Sequence, residues 1–383
     1  LTSIAVVPLS VQQGTIAPST PVTVLAAGAQ PNQMIHTSNF SGDDRIAAVG
    51  NYVYALVTTG TTSPWTEQLY VSSDGGQTWG LGSSQSMVSS YPWSPYGDEC
   101  VAASSDGTVY ILIQQPQSGF SNWTLQVFTS TNHGADPWVM QYQNLPGQKY
   151  SLTIACDPLN PGTAIASYSV GTCGFLGVRT TNGAAGPFNP VSLGFGCDGG
   201  FGASMFFAPA GHVYHVSVRN TGTVYVRRSD NGGASWPIEN QVSYAGSGPF
   251  AYGRGEADWT DPTGLTLAYS AAYNSGTAGL MLAYSTDGGV TTIFKQNNLD
   301  TGFPQNTAAN GVRYDPCGQM MVYWVNAGTM YGRLSNDDGA TFSAATPIAS
   351  SVGYGYVTPV PNSSDFFLLS QTGVGQAILS RTI

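Results

Sequence analysis

The sequence predicts an all-β chain: a single β-propeller of four-stranded antiparallel blades, seven in number with six or eight as alternatives. An N-terminal strand is expected to close the ring by joining the last blade. Three observations predict this. A turn motif recurs at blade-length intervals, an apolar hairpin precedes each copy, and helical 3.6-residue periodicity is absent, with glycine or proline interrupting nearly every ten residues.

The motif is clearest at Ser72-Ser-Asp74-Gly-Gly76-Gln-Thr78-Trp79. Ser229-Asp-Asn231-Gly-Gly233-Ala-Ser235-Trp236 carries Asn for Asp, whereas Ser285-Thr-Asp287-Gly-Gly289-Val-Thr291 and Ser335-Asn-Asp337-Asp-Gly339-Ala-Thr341-Phe342 keep the acid. Decayed copies begin at Ser130 and Thr180, and the six starts lie about 50 to 58 residues apart. A short Asp or Asn side chain bonds backbone N–H groups of its own turn, glycine supplies positive φ, and the closing aromatic packs beneath. Asp74, Asn231, Asp287 and Asp337 therefore read as structural staples. Their single-turn spacing does not suit a calcium loop.

Upstream of each motif lie two apolar strands joined by a tight turn, as in Val101-Ala-Ala-Ser-Ser-Asp106-Gly107-Thr-Val-Tyr and Ala257-Asp-Trp-Thr-Asp261-Pro-Thr-Gly264-Leu. Asp157-Pro158, Ala208-Pro209 and Asp315-Pro316 fill the same slot. Blades are expected at roughly 39–93, 94–147, 148–195, 196–250, 251–303, 304–350 and 351–383, with 1–38 as lead-in. The last has three strands of its own, and Ile4-Ala-Val-Val, within 4–12, is expected to supply its fourth and cover an exposed edge.

Composition narrows the partners. The 383 residues include 48 Gly and 23 Pro, only 8% are charged, and the net charge is -10. Lys149 and Lys295 are the only lysines and the arginines are scattered, which argues against nucleic acid. Charge density this low limits self-repulsion when carboxylates protonate, so tolerance of acidic surroundings is expected. No run of about 18 apolar residues suggests membrane insertion. The sequons at Asn39, Asn122 and Asn362 fit an extracellular or cell-surface protein after signal-peptide removal.

Neither the five cysteines nor the four histidines have metal-site spacing, and no phosphate-cradling glycine motif occurs, so no metal or cofactor is implied. The repeat phase puts Cys173 and Cys197 at one end of neighbouring blades, which makes them the preferred disulfide in an oxidising compartment. The alternative is that all five cysteines are small buried residues.

Residues at the starts of innermost strands ring one mouth of a propeller channel. By that rule the mouth collects Asp44, Arg45, Asp98, Glu99, Asp198 and the run Tyr252-Gly-Arg254-Gly-Glu256-Ala-Asp258. Period-2 alternation puts Arg254, Glu256 and Asp258 on one face, where two carboxylates beside an arginine can divide acid and base roles in glycoside cleavage. Glu256, Asp258, Asp98 and Glu99 are thus the catalytic candidates, with an ion pair closing the channel as the structural alternative. Tyr354 and Tyr356 add flat rings for sugar stacking or for packing between blades.

The repeated S-x-D-x-G-x-T-[WF] pattern resembles the Asp-box, or BNR repeat, of the sialidase-like propellers. That resemblance implies glycan or polysaccharide as the partner. It also implies an arginine triad, an Asp acid/base and a Tyr–Glu nucleophile, with the first arginine in a Phe-Arg-Ile-Pro type segment. That segment is missing. Asp43-Asp44-Arg45-Ile46 is the nearest match, Arg254 the second member, Glu256 the glutamate, and Tyr354 or Tyr356 the tyrosine. Three functions are therefore expected: first a secreted glycan-cleaving enzyme, then a non-catalytic glycan-binding propeller, then a cell-surface or virion structural component. The oligomeric state is not specified.

Overall fold

The structure, a computed structural model, describes residues 33–37, 46–59, 66–82, 87–88, 100–116, 123–135, 137–144, 149–170, 173–193, 200–219, 223–242, 250–273, 280–297, 310–350, 352–359, 366–372 and 376–382. Among them the strands form seven antiparallel sheets arranged as propeller blades. Their innermost strands, for blades one to seven, are Ile46–Val49, Cys100–Ala103, Lys149–Cys156, Gly200–Phe207, Phe250–Ala257, Asn310–Tyr314 and Val352–Pro359. Each packs against the next, and the seventh against the first. Within a blade the chain steps outward, as in blade five: Phe250–Ala257, Leu267–Tyr273, Leu280–Ser285, Ile293–Asn297.

Middle strands are buried on both faces, and mostly apolar, because both are covered. Every residue of Leu280–Ser285 is buried, as is nearly all of Val213–Arg219. A separate hydrophobic cluster fills each of the seven interfaces. The cluster between blades seven and one joins Phe367, Leu369 and Tyr356 to Ile46, Val53 and Val57.

The closing strand differs from the expectation. Gln33–Thr37 pairs antiparallel with Gln376–Thr382, Gln33 opposite Leu379 and Thr37 opposite Gln376. The segment 4–12 lies outside the described residues. A free sheet edge selects whatever extended chain can reach it, so the more β-prone sequence at Ile4 is no guide to which segment pairs.

The Ser-x-Asp turns repeat the same bonding. In blade five the Ser285 hydroxyl donates to Asp287 Oδ1 (2.8 Å) and accepts from Gly289 N (2.9 Å), while Asp287 Oδ1 accepts from Thr291 N (2.8 Å) and Oδ2 from the Thr291 hydroxyl (2.6 Å). Asn231 fits because its amide reverses the last bond and donates to Ser235 Oγ (2.8 Å). Two successive residues take positive φ: Gly75 and Gly76, Gly232 and Gly233, Gly288 and Gly289, Asp338 and Gly339. The second glycine also meets the preceding blade. A Cβ at Gly289 would lie 2.7 Å from Val226, and one at Gly76 would lie 2.5 Å from Phe367 across the ring closure. Two of these turns also bond their own inner hairpin, Gly288 N to Leu265 O (2.8 Å) and Gly75 N to Asn51 O (2.9 Å).

Replacing the buried Ser285 by Ala leaves the Gly289 N–H without its acceptor, and a loss of about 1–3 kcal/mol is expected. Urea unfolding should show a lower midpoint at unchanged slope; an unchanged midpoint would mean the hydroxyl is not the hub of the turn.

Candidate functional site

The Ser-x-Asp turns define one end of the channel, since Ala257 pairs with Leu267 and Leu267 with Ser285. Glu256 pairs with Ala268, one step in from that end, and Asp258 follows the strand. Both therefore lie opposite the strand starts where the sequence places them. The displacement is a register effect. Asp258 fills the slot of Asp157 and Asp315, each of which accepts the N–H two residues on: Thr260 N to Asp258 (2.8 Å), Leu159 N to Asp157 (2.8 Å), Cys317 N to Asp315 (2.9 Å). The Thr260 hydroxyl also donates to Asp258 Oδ1 (2.7 Å). Asp258 is a turn staple, 7% exposed.

Alternation holds from Gly253 to Ala257, after a bulge between Ala251 and Gly253. Cβ atoms at Gly253 and Gly255 would meet Val216, Val218 and Phe206 of blade four, so Arg254 and Glu256 occupy the opposite side, toward blade six. Arg254 is buried at 2% exposure. Glu256 reaches the lumen, where its Oε2 lies 3.4 Å from Nη1 of Arg313; the side chains are 18% and 12% exposed. Arg313 is held by backbone on three innermost strands: its Nε donates to Val357 O (2.9 Å), and its Nη1 to Val312 O (3.3 Å) and Gly255 O (3.5 Å).

These groups line a cavity of about 240 Å³ at the turn end of the lumen. The other blades contribute mostly small or apolar side chains, Ala48, Ala103 and Ala155 among them, and Trp259 lines it from the turn after Glu256. The Cys156 thiol also lines it; burial pushes its pKa up, and it donates to Ala103 O (2.8 Å). Sequence reasoning did not select Arg313 or Trp259. The signal for Arg313 was present, since it stands two residues before Asp315 as Glu256 stands two before Asp258.

The remaining predicted residues divide as follows. Tyr356 is buried, 5% exposed, in the interface of blades seven and one, a packing position. Tyr252 and Tyr354 lie on the innermost strands of blades five and seven. Cys173 begins the strand Cys173–Thr180. Asp44, Arg45, Asp98, Glu99, Asp198 and Cys197 lie outside the described residues. Among the described residues no group of three His, Cys, Asp or Glu side chains is placed to hold a metal, and no helix is long and apolar enough to cross a membrane.

Carboxylates at the turn end split by environment. Hydrogen bonds from Thr78 hold Asp74 down at about 2. For Asp261, Asp287 and Asp337 burial acts upward but is outweighed by threonine and backbone donors, and Asp261 sits at about 2. Burial instead raises Asp315, against its three backbone donors and with Asp258 nearby. The depressed group adds stability that is present above the unfolded pKa of about 4 and lost as pH falls through 4 toward 2. Asp315 has the opposite sign, weakening the fold as pH rises past its unfolded value. Unfolding midpoints are expected to collapse only below about pH 4, and Asp315→Asn to stabilise more at pH 7 than at pH 4. Equal effects at both pH values would remove Asp315 as the source.

No protein-family model matches the chain, and no curated protein matches it. Among solved structures it is similar to the BP39L lectin from Burkholderia pseudomallei, with TM-score 0.68 and 13% identity over 89% of this chain and 96% of the lectin. It is also similar to a Trypanosoma rangeli sialidase in complex with 2,3-difluorosialic acid, with TM-score 0.50 and 12% identity over 91% of this chain and 54% of that one. At these identities the likeness is one of fold, and the fold it supports is the propeller.

Proposed function

We propose that the protein is a secreted, carbohydrate-recognising propeller that binds glycan without cleaving it. The observation that carries this reading is the lumen itself: a carboxylate and a guanidinium 3.4 Å apart, in a cavity with otherwise mostly small or apolar walls. Sugars present hydroxyls to such pairs and apolar C–H faces to such walls. Among the described lining residues Glu256 is the sole carboxylate, because Asp258 is engaged in its turn. Glycoside cleavage uses two carboxyl groups about 5–10 Å apart. The whole-length likeness to a lectin accompanies this reading and does not by itself carry it.

A second reading, a glycan-cleaving enzyme, keeps one specific observation in its favour: a carboxylate, Glu256, stands beside a guanidinium, Arg313, in the cavity, where it could serve as nucleophile or base. A glycan and polysaccharide panel from pH 3 to 8, run on wild type and Glu256→Gln, separates the two. Binding without turnover is the expected result. Turnover abolished by the substitution would establish the enzyme, and neither binding nor turnover would favour a structural component.

A further inference from the structure

We propose that the turn end of the channel is a site for one neutral sugar ring at the end of a glycan, with Trp259 as its stacking platform and the Glu256–Arg313 pair bonding its hydroxyls. The proposal rests on the carbohydrate reading above and assigns it a place, a ligand class and a length.

Place follows from register. The lining residues on the innermost strands of blades three to seven fall in the half that leads to the turns, as Ala155, Glu256 and Arg313 do. At that level the other blades contribute alanines such as Ala48, Ala103 and Ala155 among mostly apolar neighbours, beside the two charged side chains. Trp259 packs on the cluster of blades three and four that contains Met205 and Phe207, yet stays partly exposed and lines the cavity. An indole fixed by packing on one side and open to a cavity on another is a preorganised surface for the apolar face of a sugar.

Class follows from charge. Glu256 and Arg313 compensate each other, and no other ionised side chain lines the cavity among the described residues. A sugar carboxylate would meet Glu256 and a sugar ammonium would meet Arg313, each with one unfavourable neighbour. A neutral diol meets an acceptor and a donor together. Because Arg313 is anchored to three strands, it is positioned before the ligand arrives. Length follows from size: about 240 Å³ lies below the range of about 300–1,000 Å³ that holds drug-sized ligands, so the cavity takes one ring.

Calorimetry with galactose, mannose, fucose and N-acetylglucosamine, against glucuronate and N-acetylneuraminate, tests this on the intact protein. Wild type is expected to bind at least one neutral sugar and to bind the acidic ones at least about tenfold more weakly. Trp259→Ala and Glu256→Gln should each weaken neutral-sugar binding about tenfold or more, and Trp259→Phe should retain most of it. Thermal midpoints identify a variant that fails to fold, in which case the other two decide. If wild type binds glycans while the folded Ala and Gln variants bind within twofold of it, the site is elsewhere and the carbohydrate reading survives alone. A preference for acidic sugars overturns the ligand class. No saccharide binding at all overturns both readings.

Discussion

Each sheet of this protein packs a hydrophobic cluster against each of its two faces, and that constraint governs the rest. A blade with two apolar faces needs two neighbours, so a row of seven has no stable end unless it closes on itself. Closure is made twice, by Phe367, Leu369 and Tyr356 packing on Ile46 and Val57, and by Gln33–Thr37 pairing with Gln376–Thr382. The second positive-φ glycine of a turn lets that turn approach the preceding blade, from Gly289 on Val226 to Gly76 on Phe367. Glycine there answers two needs together, a left-handed backbone and the absence of a Cβ that would strike the neighbour.

Closure produces the lumen, and the lumen produces the candidate site. Seven strand ends converge on one axis, so a single charged residue per strand would crowd it. Among the described lining residues only blades five and six place charge at that level, and they place opposite signs. The aspartates of the turns below are satisfied by their own hairpins, and the Glu256–Arg313 pair lines the cavity.

Much of this was legible in the sequence because it is local. A Ser hydroxyl, an Asp two residues on and a glycine pair make their bonds within one turn, so the motif predicts its geometry wherever it occurs. Legibility fails where partners are distant. Gln33-Met-Ile-His-Thr37 has weaker strand character than Ile4-Ala-Val-Val and closes the ring by its reach to Gln376–Thr382. Asp258 and Asp261 both precede tight-turn residues. Taking Asp261 as the counterpart of Asp315 shifted blade five by three positions and sent Glu256 to the wrong end of the channel. Arg313 and Trp259 carry no motif of their own; only the repeat phase, correctly set, brings them beside Glu256.

The most direct test of the account is a crystal structure of the protein with the tightest-binding neutral monosaccharide. The account predicts one sugar ring in the lumen against the Trp259 indole, its hydroxyls within hydrogen-bond reach of Glu256 and Arg313. A sugar held at the strand-start mouth or between blades on the outer surface, with the lumen empty, would contradict it.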